Sequence, residues 1–133
     1  VDAMVDHCRG ALPEEACGSL GGRGDVAWSH YPLRNIASRR EERFLGDPGE
    51  QMDAFRRMEA AGESLVAIYH SHPRTPPVPS RADLEEAAYP DAYMVIVGFG
   101  RGGRALVRAF RVHPGRLAAA EVHWHRVREK IRD

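Results

Sequence analysis

Cysteine is scarce in this chain, with Cys8 and Cys17 the only two among 133 residues. Two thiols cannot form the disulfide framework of a small secreted domain, and neither belongs to a Cys-x-x-Cys pair that would build a zinc knuckle. Reduced thiols in a cytoplasmic protein are the expectation, and no basic-then-apolar leader argues for export. Net charge is missing too: nineteen basic and nineteen acidic side chains cancel. No bulk field therefore recruits nucleic acid or an anionic membrane surface. Long apolar runs are absent, and none approaches the roughly 18 residues that suggest a spanning helix. There is no internal repeat and no flexible linker. What remains is 43% hydrophobic and 29% charged, the balance of a soluble globular protein whose length suits one domain over residues 1–133.

Periodicity and punctuation predict the elements. Val1, Met4, Val5, Cys8 and Leu12 recur at helical spacing, so an amphipathic first helix should stop near Pro13. "ACGSLGGRGDVAWSHY" reads as two short strands around a turn at 21–25. Residues 34 to 46 read as irregular or weakly extended. In "GDPGEQMDAFRRMEAAG" Asp47 can cap a helix and Pro48 suits its first turn. Met52, Phe55 and Met58 line one side of that helix, and Gly62 closes it. "SLVAIYH" is a short strand of the buried type. Ser80 should start a helix through "RADLEEAA" towards Pro90. "AYMVIVGF" and "ALVRAFRV" form a hairpin around 100–104. From Gly115 onward a helix is expected, with Leu117, Trp124, Val127 and Ile131 as its apolar side. Helices alternating with strands, hairpins among them, predict an α/β fold with a mixed β-sheet flanked by helices.

The stretch that carries chemistry is "IYHSHPRTPPVPSRADLEEA", residues 68–87. Strand side chains alternate faces, so His70 and His72 project together from the end of an apolar strand. That arrangement supplies half of a zinc site from one segment. Zinc takes four ligands, and a catalytic zinc keeps one position for water. A third protein ligand is then needed, and Asp83 is the nearest sensible carboxylate beyond a loop stiffened by four prolines. Hydrolysis also needs a base for the water. Glu14 and Glu15 precede a strand, but spacing alone does not separate them from Glu50, Glu63 or Glu85.

The pattern "PEEACGSLGG … VAIYHSHPRTPPVPSRADL" resembles the JAMM/MPN metallopeptidase family, whose signature is a glutamate, then His-x-His, then Ser-x-x-Asp. The likeness extends through "RFLGDPGEQMDAFRRME" and "YPDAYMVIVGF", and it is closest to compact bacterial members of the CysO-cysteine peptidase type. The resemblance implies a cytidine-deaminase-like α/β fold, although the "PCxxC" signature of zinc deaminases is missing. It implies Zn2+ held by His70, His72 and Asp83, with Glu15 as general base and then acid. Ser80 would donate a hydrogen bond to the oxyanion. The implied substrate is the C-terminal tail of a ubiquitin-like sulfur-carrier protein, bound extended along a sheet edge, with cysteine or a short adduct released. Two alternatives accompany it: a general deconjugase of prokaryotic ubiquitin-like tags, and a non-catalytic MPN scaffold that binds partners.

Blander readings apply to several residues. Ser80 is a natural N-cap and Asp83 favours a helix dipole, a role compatible with metal binding. Ser71, on the opposite face from its neighbours, is structural. Cys17, on an apolar strand beside Gly18, reads as a small core residue. "HWH" at His123 and His125 repeats the spacing, but on a helix residues two apart point about 200° apart and cannot chelate one ion. "GFGRGGR" lacks the Lys-Ser/Thr ending of a phosphate loop and reads as a turn. Arg39, Arg40, Arg57 and Arg104 read as solvated surface charge.

Overall fold

The computed structural model describes residues 2–85, 87–113 and 116–120. Helix α1 (Asp2–Ala11) leads into strands β1 (Cys17–Arg23) and β2 (Val26–Leu33). Helix α2 (Pro48–Ala60), strand β3 (Ser64–His72) and the single-turn helix α3 (Arg81–Glu85) follow. Strands β4 (Tyr93–Phe99), β5 (Ala105–His113) and β6 (Arg116–Ala120) complete the described residues. The six strands form one sheet in the order β2-β1-β3-β4-β5-β6. Only β3 and β4 run parallel; every other pairing is antiparallel. A parallel pair needs a crossover. Here the crossover is the proline-rich loop with α3, which begins where β3 ends. The α/β fold with a mixed, helix-flanked sheet is the one expected. Among the described residues no helix is long and apolar enough to cross a membrane.

The two longer helices pack with separate apolar clusters. Met4 and Cys8 of α1 join Ala16, Ala67, Tyr69, Val95, Val97 and Ala109. Ala54 and Met58 of α2 join Tyr31, with Phe55 and Leu65 against them. A bulge in the β1–β3 ladder between Leu20 and Gly21 lets one strand serve both. Leu65 packs with the α2 cluster, whereas Ala67 and Tyr69, past the bulge, pack with α1. Beyond the bulge strict alternation sends Ile68, His70 and His72 to the face opposite Tyr69. Tyr69 is fully buried, and its hydroxyl lies 2.6 Å from both His7 Nδ1 and His30 Nε2. Gly18 leaves room for that ring, since a Cβ there would sit 2.5 Å from Tyr69 Cε2, Cζ and Oη.

The caps of α2 follow the reading. Asp47 Oδ1 accepts from Gly49 N at 2.8 Å and Glu50 N at 3.2 Å, Pro48 opens the helix, and Gly62 adopts φ +73° just past its end. The hairpin between β4 and β5 turns through Gly102 and Gly103, both at positive φ.

Three expectations are corrected. Met52 is exposed, because it lies about 120° round the helix from Met58, and Ala54 takes its place facing the sheet. Helix α3 ends at Glu85 rather than near Pro90. Acidic Glu85 opposes the negative end of the helix, and Pro90 disfavours helical geometry at Tyr89. The start of the expected last helix is instead strand β6, paired with the edge of β5 from His113↔Arg116 to Ala109↔Ala120. Pro114-Gly115 is a turn signal, and the open ladder of β5 offers hydrogen bonds that a marginal helix cannot match. Residues 121–133, including His123, His125, Trp124, Val127 and Ile131, lie outside the described residues.

Candidate metal centre

Strand β3 delivers His70 and His72 to one face at its C-terminal end, and α3 brings Asp83 against them. The two Nε2 atoms are 3.2 Å apart. Asp83 Oδ2 lies 3.0 Å from His70 Nε2 and 3.1 Å from His72 Nε2. All three side chains are buried, at 1%, 5% and 8% exposure. They are the one group of three or more potential ligands among the described residues whose donor atoms converge.

The loop and the cap set this geometry. His72 Nδ1 lies 2.8 Å from the Pro76 carbonyl. A carbonyl only accepts, so Nδ1 carries the hydrogen and a neutral ring presents a bare Nε2 to the centre. Pro77 is buried against Gly98, where a Cβ would come within 2.9 Å of Pro77 Cδ. Ser80 and Asp83 form a reciprocal cap: Ser80 Oγ accepts from Asp83 N at 3.1 Å and Asp83 Oδ2 accepts from Ser80 N at 2.9 Å. The cap leaves Asp83 Oδ2 against both histidines, so a capping role for Ser-x-x-Asp does not exclude a ligand role.

Three electron-rich atoms held about 3 Å apart out of water need positive charge between them. Two imidazole nitrogens and one carboxylate oxygen form a donor set that zinc accepts. Ligands at zinc distances on a tetrahedron stand about 3.3 Å from one another, close to the separations here. The Pro76 carbonyl on the far side of His72 is the kind of outer partner that orients metal-bound imidazoles. The residues fit the ion.

Electrostatics act on each of the three groups differently. Burial pushes the His70 imidazole below its ordinary value, favouring the neutral ring. Burial alone would raise the Asp83 carboxyl, but its close contacts with His70 and His72 and the hydrogen bond from Ser80 N outweigh it and hold the group well below the carboxylate range. For His72 burial also works downward, and its contacts with Asp83 and the Pro76 carbonyl reverse the sign.

Glu15 reaches the site through the β1–β3 register. Cys17 pairs with His70, Ser71 N donates to Ala16 O at 3.0 Å, and Ala16 N donates to Ser71 Oγ at 2.8 Å. One step further along the same antiparallel register, Glu15 stands opposite His72. Its carboxylate is buried, and Oε1 has no hydrogen-bond partner among the described residues. Burial pushes it up to about 7; the Asp83 charge adds to this, and His72 and Arg43 oppose it. Glu14 instead pairs with Arg40 at 3.3 Å in a half-exposed ion pair. The other glutamates are engaged elsewhere. Glu50 accepts from Arg34 N, Glu63 from Tyr31 and Ser29, and Glu85 pairs with Arg81.

Cys17 is buried, with its thiol pushed up to about 12 by burial, as befits a core residue. Arg39 and Arg40 pair with Glu42 and Glu14 on the surface. Reading from sequence missed Phe44. Its ring stacks on His70 with centroids 4.3 Å apart and planes 16° from parallel. The only hint was an isolated aromatic in a stretch without periodicity. A cleft of about 560 Å3 is bordered by His7, Glu14, Glu15, Arg34, Asn35 and Arg40 among others.

A family model described as prokaryotic homologs of the JAB domain matches residues 1–113. The CysO-cysteine peptidase of Mycobacterium tuberculosis is 40% identical over 125 residues, which cover 92% of this chain and 85% of that protein. A desampylase of Haloferax volcanii is 35% identical over 107 residues, 75% of this chain and 77% of the relative. The solution structure of protein DSY2949 from Desulfitobacterium hafniense matches with a TM-score of 0.80 at 34% identity, across 90% of this chain and 84% of that one. The chain belongs to the Prok-JAB family, the prokaryotic branch of the JAMM/MPN fold.

Proposed function

We propose that this protein is a zinc-dependent peptidase of the cytoplasm. It would hydrolyse the amide at the C-terminus of a ubiquitin-like sulfur-carrier protein and release cysteine or a short adduct. The observation that carries this reading is the convergence of His70, His72 and Asp83 within 3.2 Å of one another, with a buried glutamate beside them. The names of two relatives, a CysO-cysteine peptidase and a desampylase, support a conjugate of a small protein as substrate.

Zinc bound at these donors would supply Lewis acidity and a water of lowered pKa. The chain's own groups do the rest. Asp83, held in place by the Ser80 cap, would balance one of the ion's two positive charges. Glu15, pushed up to about 7, is poised to take a proton from water and return it to the departing amine near neutral pH. The amide C–N bond is exchanged for a C–O bond, and no covalent enzyme intermediate is needed. Ser80 uses its oxygen to accept from Asp83 N, which leaves its hydroxyl hydrogen to donate to the scissile carbonyl oxygen as charge develops there.

The test is to load the protein with one equivalent of zinc, incubate it with a sulfur-carrier–cysteine adduct and detect free cysteine by mass spectrometry. Glu15→Gln should retain zinc and fold but release none. Undiminished turnover by that variant would remove Glu15 from the chemistry. Equal kcat/KM on unrelated isopeptide-linked tags would favour the general deconjugase, and failure to take up zinc would favour the scaffold.

A further inference from the structure

The excursion between β2 and α2, residues 34–47, folds back on itself beside the site. Asn35 forms an isolated antiparallel bridge with Gly46, Ile36 N donates to Leu45 O at 2.8 Å, and Asp47 N donates to Arg34 O at 2.9 Å. At its centre is one half-buried side-chain amide. Asn35 Nδ2 donates to Glu15 O at 2.9 Å and to Arg43 O at 3.0 Å. Asn35 Oδ1 accepts from Ala37 N and Leu45 N, both at 3.0 Å. An asparagine amide has two N–H donors and two acceptor positions, and all four are used here. This is a saturated node of the kind that specifies a single arrangement.

The node joins two parts of the site that are far apart in the chain. One donor holds the carbonyl of Glu15, whose own N–H is held by Arg40 O at 2.7 Å. The other donor and one acceptor grip Arg43 and Leu45, the two residues flanking Phe44. The ring of Phe44 lies flat on His70. Resting on the metal-site reading above, we infer that Asn35 is a positioning residue. It ties the backbone of Glu15 to the aromatic face that orients His70, so the proton acceptor and one metal ligand share one frame. Asn35 touches none of the donor atoms and acts only through its neighbours.

Asn35→Asp isolates the claim. It keeps the shape and the acceptor half, towards Ala37 and Leu45. It replaces the donor half with a carboxylate oxygen facing the carbonyls of Glu15 and Arg43. Two readouts distinguish positioning from general support: metal affinity by competition with a chromophoric chelator, using zinc alone, and the visible absorption of the cobalt(II)-substituted protein. For Asn35→Asp with an intact circular dichroism spectrum, zinc affinity should fall by about threefold to tenfold, the loss expected when the stack on His70 is disturbed. The cobalt bands should move, and kcat should fall while KM changes less than about threefold. A variant that melts earlier but keeps zinc affinity, cobalt spectrum and kcat would overturn the inference. If Asn35→Asp does not fold, Phe44→Leu decides on zinc affinity alone: a loss of about threefold to tenfold is expected from losing the stack, and an unchanged value overturns the inference. Wild-type protein that takes up no zinc would defeat the metal reading itself, and this inference with it. Wild type that binds zinc beside a variant that binds it equally would defeat this inference alone.

Discussion

Acid should loosen this fold through the cluster behind the site. Tyr69, on the face of β3 opposite His70, places its hydroxyl 2.6 Å from His7 Nδ1 and His30 Nε2. One phenolic hydrogen serves one of these nitrogens, so the other ring must donate to the phenol oxygen. Neither arrangement needs a charged imidazole. Burial pushes His30 down to about 4 from an ordinary 6.5, with His7 adding to the effect, and burial also lowers His7. As pH falls below 6.5 the unfolded chain takes up a proton at residue 30 that the folded chain refuses. Stability from this group is therefore complete above pH 6.5, falls as pH drops, and stops falling below about 4. Between pH 7 and pH 5 the loss from His30 alone is about 2 kcal/mol. With a urea m-value of about 2 kcal/mol/M, that is a midpoint shift of about 1 M. The measurement is urea unfolding of wild type and His30→Gln at both pH values. Glutamine can still hydrogen-bond Tyr69 but cannot take the proton. Wild type should lose about 1 M more in midpoint than the variant, while titration of His70, His72 and Asp83 cancels in the difference. Parallel losses in the two proteins would show that His30 is not kept neutral by folding, and the packing account of Tyr69 would fail.

Two further outcomes follow from the same contacts. Gly18→Ala drives a Cβ to 2.5 Å from the Tyr69 ring; overpacking of this kind costs about 1–3 kcal/mol, so the melting temperature should fall by roughly 4–10 °C for a domain of this size. An unchanged melt would show that β1 and Tyr69 are not in close contact. Asp83→Ala removes a donor and half of the α3 cap, so zinc affinity should fall by more than the ~10–100-fold typical of an outer partner. At zinc one hundred times the wild-type Kd, the wild-type protein should gain about 2.7 kcal/mol, or roughly 10 °C, over the chelated form. The variant should gain almost nothing, and equal gains would give the third ligand position to another residue.

Strand and helix periods made one half of the site legible. His70 and His72 are two apart on a β-branched run, and Ser80 and Asp83 are three apart at a helix start, so each pair's common direction follows from local geometry. The capped and closed helix α2 was legible for the same reason. Residues 116–120 differ from the expected helix because apolar residues alone do not distinguish a helix from a strand completing an open edge, even beside a Pro114-Gly115 turn signal. Met52 was misplaced because a stripe containing alanine was not counted as apolar.

The other half of the site depends on which residues meet across long separations, and no local period carries that information. Continuing the β1–β3 register two residues before Cys17↔His70 brings Glu15 level with His72, whose charge acts on it. A slip of one residue would turn Glu15 to the other face and bring Ala16 to its place. That register is held in the final step by Ser71, whose hydroxyl accepts from Ala16 N, and from the side by Asn35 on the Glu15 carbonyl. The residue between the two metal-site histidines and an amide in an irregular loop therefore perform related tasks. One sets the register that brings the glutamate opposite His72, and the other holds its backbone there. Neither is a metal-ligating residue type, which is why a reading based on ligand chemistry passes over Asn35 and sees Ser71 only as scaffold.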